Sequence, residues 1–196
     1  MARHAERGVA PQFVERWSPR AFLPVEIPET ELARLFEAAR WAPSAYNAQP
    51  WRFLVARRNT PEWALFLELL IEANRGWAQN ASALVVAVSA QNFVPPGQSQ
   101  TIQTGSHSFD TGAAVAYLAL QASLSGWPAH IITGFDKALA REKLEIPEGF
   151  NVEAAIVIGK QGTPEQLPEA FRAREMPNDR NPQESWVANG RFSFAG

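Results

Sequence analysis

The sequence contains no cysteine. Disulfides, thiolate zinc sites, iron–sulfur clusters and a cysteine nucleophile are therefore excluded together. Histidine is almost as scarce: His4, His107 and His130 lie far apart, and none belongs to an HExxH-type pair that would seat a metal on one helix face. No GxG pair occurs among the 12 glycines, no GK[ST] follows a glycine loop, and there is no GxSxG. The dinucleotide fingerprint, the P-loop and the nucleophile elbow are thus all missing. Net charge is small as well. Lys plus Arg is 18 against 20 for Asp plus Glu, a formal charge of −2, so no global field favours nucleic acid or an anionic membrane surface. The longest apolar runs, around 81–90 and 113–119, are too short to cross a bilayer. The charged opening MARHAERGVA lacks the apolar core of a secretory signal. A cytoplasmic protein with no nucleic-acid or membrane partner and no metal is the expectation.

What is present is ample apolar content. A chain of 196 residues fits one domain. Folded, it should expose about 9,000 Å² of the roughly 31,000 Å² that it exposes unfolded. Apolar residues make up 46% and charged residues 19%, which excludes general disorder. Seven tryptophans and 15 prolines gather at segment borders, where large aromatics often line interfaces or flat-ligand pockets.

Periodicity divides the chain. Phe13–Arg16 reads as a short helix ended by Pro19, and Pro28 opens a longer one with Leu32, Leu35, Phe36 and Ala39 at helical spacing. Trp51–Ala56 alternates as a strand. Thr60 followed by Pro61 predicts one helix running to Asn74 or Arg75, with Thr60 as its N-cap. Leu84–Val88 is a continuous apolar run, as in a strand covered on both faces. Residues 91–109 read as a long polar loop, and Asp110 as the N-cap of a nearly all-apolar helix to Ser123, with Gly126 past its end. Ile131–Thr133 and Ala154–Ile158 read as strands and Lys137–Leu144 as a helix. From Lys160 the chain turns polar and rich in proline, which suits an extended C-terminal arm over about 160–196. The class is α+β, with helices on an antiparallel or mixed sheet.

Three polar clusters sit at element borders. Arg16-Trp17-Ser18-Pro19-Arg20 places two guanidinium groups and a hydroxyl where a phosphate could be held by paired hydrogen bonds, or where a solvated turn could lie. Pro43-Ser44-Ala45-Tyr46-Asn47-Ala48-Gln49-Pro50-Trp51 carries amides and a hydroxyl able to read a heteroaromatic edge, although the same stretch would serve as a connector. Arg180 stands in the polar tail.

Taken in order, these residues resemble the FMN-dependent nitroreductase family over almost the whole chain. Glu15–Phe22 is similar to the family's opening RxSxR motif, and Ala39–Phe53 to its APSxxNxQPW(R/H)F segment. Asn74 matches a family asparagine, Gly126–Asp136 resembles the family's GFD strand end, and Arg180-Asn181-Pro182 its C-terminal RxP. The resemblance implies an intertwined homodimer with FMN at the subunit interface and NADH or NADPH as reductant. Arg16, Ser18, Arg20 and Arg180 would hold the phosphate and ribityl end, with Trp17 beside them where relatives carry histidine or arginine. Asn74 would bond the pyrimidine edge, while Ile132, Thr133 and Gly134 would approach the ring near N5. Pro43, Ser44, Ala45 and Asn47 would come from the other subunit, with Gln49 behind them. Asn178 stands where many relatives carry a phosphate-binding lysine, and Thr133 where some carry glutamate. No catalytic acid–base residue is implied, because the flavin carries the chemistry. The expected reaction is hydride transfer, by a ping-pong route, to a nitroaromatic or quinone-like acceptor. The same scaffold also serves enone, aldehyde or dehalogenating reductions and flavin cleavage, and could bind flavin without turnover.

Overall fold

The structure is a computed structural model that describes residue 3 and residues 5–194, so His4 lies outside the described residues. The helices are α1 (Pro11–Glu15), α2 (Glu29–Arg40), α3 (Trp63–Glu68), α4 (Glu72–Ala78), α5 (His107–Leu124), α6 (Lys137–Lys143) and α7 (Glu169–Arg172). The strands are β1 (Phe22–Leu23), β2 (Trp51–Arg57), β3 (Ala83–Ala90), β4 (Asn92–Phe93), β5 (Ile102–Gln103), β6 (Ala129–Ile132), β7 (Phe150–Ile158) and β8 (Lys160–Gln161).

The centre is a four-stranded sheet in the order β2-β3-β7-β6, antiparallel throughout. All eight residues of β3 are buried, as the uninterrupted apolar run requires of a strand covered on both faces. Alternation then divides the core. Leu84, Val86 and Val88 join Phe66, Trp77 and Ala140 on one side, while Ala83, Val85 and Ala87 meet Leu35, Ala114 and Leu118 on the other. Helix α2 buries Leu32, Leu35 and Ala39, the stripe visible in the sequence. Helix α5 buries Thr111, Ala114, Leu118 and Ala122 but leaves Phe109, Tyr117 and Leu124 exposed. It ends where Gly126 adopts φ +69° and the Trp127 N–H donates to the Ala122 carbonyl at 2.9 Å, a left-handed turn that glycine enters without steric cost.

Five expectations need correction. The helix predicted from Thr60 to Arg75 is two helices, α3 and α4. The backbone between them pairs with residues after β6: Leu70 bridges Phe135, the Asp136 N–H donates to the Leu69 carbonyl at 2.8 Å, and the Ile71 N–H to the Gly134 carbonyl at 3.3 Å. Those tertiary bonds outweigh local helical preference. Thr60 caps no helix; its hydroxyl donates to the Arg57 carbonyl at 2.9 Å. Asp110 is not an N-cap either, because α5 starts one turn earlier and Asp110 lies inside its first turn. The 91–109 segment carries the small β4–β5 hairpin. Past Lys160 the chain is not simply extended, for β8 pairs with β1 and α7 follows.

Candidate functional site

Pro19 and the extended backbone at Arg16 (ψ 121°) keep residues 16–21 out of helix after α1. The segment is then held from three sides. The Pro19 carbonyl accepts from His130 Nδ1 on β6 at 2.9 Å. The N–H groups of Arg20 and Ala21 donate to the buried Glu175 Oε1 at 2.7 and 2.8 Å. Arg3 donates to the carbonyls of Val14 and Arg16 at 3.0 and 2.8 Å, and to that of Asn178 at 2.7 Å. Chain start, β6 and C-terminal segment are thereby tied around one point.

At that point lies a cavity of about 500 Å³. Arg16, Ser18, Arg20 and Arg180, far apart in sequence, all line it, as do Arg3, Arg174 and His130. Arg16 Nη1 reaches Ser18 Oγ at 3.4 Å, so hydroxyl and guanidinium face the same space. Five arginines therefore surround it, with Asp179 the one carboxylate in the lining among the described residues. Glu175, behind them, has one oxygen committed to backbone donors and the other 4.0 Å from Arg20. Burial, then the neighbouring Arg3 and Arg180, lower the Arg16 pKa. Burial and Arg174 do the same to Arg20, against the pull of Glu175. Cations crowded together, with Arg3, Arg16 and Arg20 half-buried and too few counter-charges near them, form a site that an anion would stabilise. His130 adds no charge. Burial first, and then Arg20 and Arg16, push its pKa down to about 4 despite its bond to Pro19.

Strand β6 leaves this cavity at His130 and ends at Ile132, and the chain runs on to Gly134 two residues later, a span of up to about 13 Å at the rise of an extended chain. There Asn74 Nδ2 donates to the Gly134 carbonyl at 2.9 Å. A methyl group on Gly134 would lie 2.5 Å from that same nitrogen and 3.0 Å from Ile71 Cδ1, so any larger residue must displace the Asn74 amide. Among the described residues, the Gly134 N–H donates to no backbone carbonyl. Ile132 is buried in the core, while Thr133 is exposed.

The segment from Pro43 to Gln49 lies elsewhere; neither it nor Trp17 lines the cationic cavity. Its backbone is strained, with φ of 53°, 54° and 47° at Tyr46, Asn47 and Gln49, conformations that cost about 1–3 kcal/mol each outside glycine and persist only where the surroundings impose them. Here Asp110 Oδ2 accepts from the Ala45 N–H at 3.1 Å and from Ser106 Oγ at 2.9 Å, and Ser44 Oγ accepts from the Gln49 N–H at 3.0 Å. The carboxylate at the start of α5 thus anchors the loop, a role that the sequence disguised as a cap. Arg3, Arg174, His130 and Glu175 were also not singled out by motif. A count of arginines in the terminal segments was the one available signal.

Comparison with known proteins accords with this arrangement. The family model described as Nitroreductase family matches residues 14–88. A solved oxidoreductase containing FMN is 42% identical, with coverage of 98% of this chain and 97% of that one, at a TM-score of 0.94. YdgI of Bacillus subtilis (strain 168), which bears an NAD(P)H nitroreductase name, is 37% identical over 68 residues. SCO7141 of Streptomyces coelicolor, with an NADH dehydrogenase/NAD(P)H nitroreductase name, is 40% identical over 86 residues. These two matches span 35% and 44% of this chain, and only 32% and 41% of the curated relatives' own length. Motif order, fold and full-length likeness agree: the chain belongs to the nitroreductase family.

Proposed function

We propose that this chain is an FMN-dependent oxidoreductase that takes hydride from NADH or NADPH and passes it to an electron-poor acceptor, a nitroaromatic or a quinone-like compound, as a homodimer. The observation that carries the reading is the cavity in which Arg16, Ser18, Arg20 and Arg180 converge with Arg3 and Arg174. FMN is a phosphate dianion joined by a flexible chain to a flat ring, and needs cations at one end with donors and apolar walls at the other. The arginines and Ser18 would hold the phosphate, with Arg3 and Arg174 offsetting the neutral Asn178. Strand β6 leads from them to Asn74 and to the Gly134 N–H, which would bond the ring edge. When bound, the flavin supplies the redox chemistry.

Two observations support a second copy as part of the site. The isolated chain exposes 11676 Å², whereas a compact monomer of this mass exposes about 9,000 Å². The strained 43–49 loop, which the family resemblance assigns to the site, is outside the cavity of its own chain. Residues Pro43, Ser44, Ala45 and Asn47 would therefore meet the flavin of the partner, with Gln49 behind them. Ile132–Gly134 and the backbone near Arg16 would cover one face of the ring. Donor and acceptor must then use the other in turn, each needing approach to about 3–3.5 Å.

The test is anaerobic stopped-flow spectroscopy of the FMN-loaded protein. NADH or NADPH should bleach the flavin, a nitroaromatic or quinone should restore it, and double-reciprocal plots should be parallel. Bleaching without reoxidation by any acceptor of a panel would redirect the reading to another reductive chemistry. No bleaching at all would leave a flavin-binding module.

A further inference from the structure

Beside the cationic cavity, and sharing Arg3, Asp179 and Arg180 with it, lies a second cavity of about 400 Å³. Its walls come from the segment that leads into α1 and from the tail beyond Arg180, and include Arg7, Phe13, Gln183 and Trp186. The tail is pinned across it: the Gln183 N–H donates to Glu6 Oε2 at 3.3 Å, and the indole N–H of Trp186 to the Asn181 carbonyl at 3.2 Å. That bond fixes the indole, yet the residue remains 57% exposed, as does Phe13. A tryptophan held in place by its polar edge with its rings uncovered presents a stacking surface.

Charge points the same way. The first cavity has five arginines against Asp179, and one phosphate monoester contributes about two negative charges at neutral pH. Arg3 and Arg180 belong to both cavities and Arg7 to the second alone, where these three cations face the carboxylates of Glu6 and Asp179. Cations at the shared wall with aromatic rings beyond them are the chemistry that recognises a base carrying a phosphate.

We propose that the second cavity is a subsite for an adenosine phosphate, with Arg3, Arg7 and Arg180 on the phosphate and the base against Phe13 and Trp186. Such a group has two sources. One is the adenosine end of NADH or NADPH, bound next to FMN. The other is the adenylate half of a flavin dinucleotide occupying both cavities. The proposal rests on the flavin reading of the first cavity, so FMN binding is measured beside it and the two can fail separately.

Isothermal titration of the FMN-loaded and FMN-free protein with AMP and 2′,5′-ADP, and of the FMN-free protein with FMN and FAD, tests it. AMP or 2′,5′-ADP should bind, and Trp186→Ala should weaken that binding by about tenfold or more while FMN affinity stays as in wild type. Arg7→Glu, a change at a side chain of the second cavity only, should weaken 2′,5′-ADP more than unphosphorylated adenosine. Binding of AMP alongside FMN identifies the pyridine nucleotide as the source. FAD bound more tightly than FMN, with that advantage lost in Trp186→Ala, identifies the dinucleotide flavin. FMN binding intact with no nucleotide bound at millimolar concentration overturns the subsite, as does nucleotide binding indifferent to Trp186→Ala. Absence of FMN binding overturns the flavin reading instead, and the AMP titration of the FMN-free protein still decides the subsite.

Discussion

The side-chain amide of Asn74 donates to the carbonyl of Gly134 at 2.9 Å, so tightly that a methyl group on Gly134 would stand 2.5 Å from the donating nitrogen. This contact fastens the first turn of α4 to the residue two past the end of β6, beside the bonds of Leu69–Ile71 to residues 134–136 that break the helix between Glu68 and Glu72. Gly134→Ala should force Asn74 and Ile71 apart. The expected cost is about 1–3 kcal/mol, as for other overpacked sites, together with weaker FMN binding. Denaturant unfolding and FMN titration of the variant check both, and a variant as stable as wild type would mean that Asn74 yields freely.

Arg16→Ala removes a half-buried guanidinium from the cationic cavity. A charge-assisted phosphate contact is worth roughly 1.5–3 kcal/mol, so FMN affinity should fall by about 10- to 150-fold. Fluorescence titration of the stripped protein reads this directly. Unchanged affinity would assign the phosphate elsewhere.

Glu175→Ala would orphan the N–H groups of Arg20 and Ala21, which now share Oε1 at 2.7 and 2.8 Å. The expected loss is about 1.5–3 kcal/mol or more, since hydrogen bonds to a buried charged group are the costly ones to remove. Glu175→Gln keeps an acceptor oxygen and should lose less. Chemical denaturation of the two variants side by side gives the comparison.

His130 makes stability pH-dependent with a definite sign. Its pKa is about 4 in the folded chain against 6.5 in a free side chain, so the unfolded state takes up the proton first as pH falls. Above pH 6.5 the group contributes nothing, and between 6.5 and 4 folding weakens. From pH 7 to pH 5 the loss assignable to His130 is about 2 kcal/mol. His130→Gln should remove that part of the slope, and urea unfolding at the two pH values in both proteins isolates it from the carboxylates.

Much of the architecture was legible because it is written in local patterns. The stripe of α2 and the unbroken apolar run of β3 each follow from a period. The helix break at 69–71 was not, because Leu69, Leu70 and Ile71 continue an apolar stripe and are turned aside only by bonds to residues 134–136. Asp110 misled for a related reason: a carboxylate near a helix start reads as a cap, whereas its partner is the Ala45 N–H in a distant loop. In the site, Arg16, Ser18, Arg20 and Arg180 were found through motifs, and their meeting in one cavity is the structural observation. Arg3 and Glu175 carry no local signature, since a guanidinium bonded to carbonyls and a carboxylate bonded to backbone N–H groups depend entirely on what the fold brings near them.

Phe109 is 83% exposed at the start of α5, and Leu124, at the other end of the same helix, is 63% exposed. With Tyr117, also exposed, they leave large apolar side chains along the length of the helix that a partner surface would cover. Asp110, which anchors the 43–49 loop, directly follows Phe109 in the helix, so a partner that covers Phe109 would also lie near that loop. If that cover is a second copy, the interface should bury more than about 2,000 Å², as in permanent homodimers, and Phe109→Asp should place a charge within it. A buried unpaired carboxylate is strongly unfavourable, so the dimer should dissociate. Because the 43–49 loop does not line the cavity of its own chain, FMN should be lost in parallel with dissociation, although no arginine has been touched. Light scattering combined with flavin absorbance of the eluting peak measures both at once. A Phe109→Asp monomer that keeps FMN at wild-type affinity would show that one chain suffices for the site.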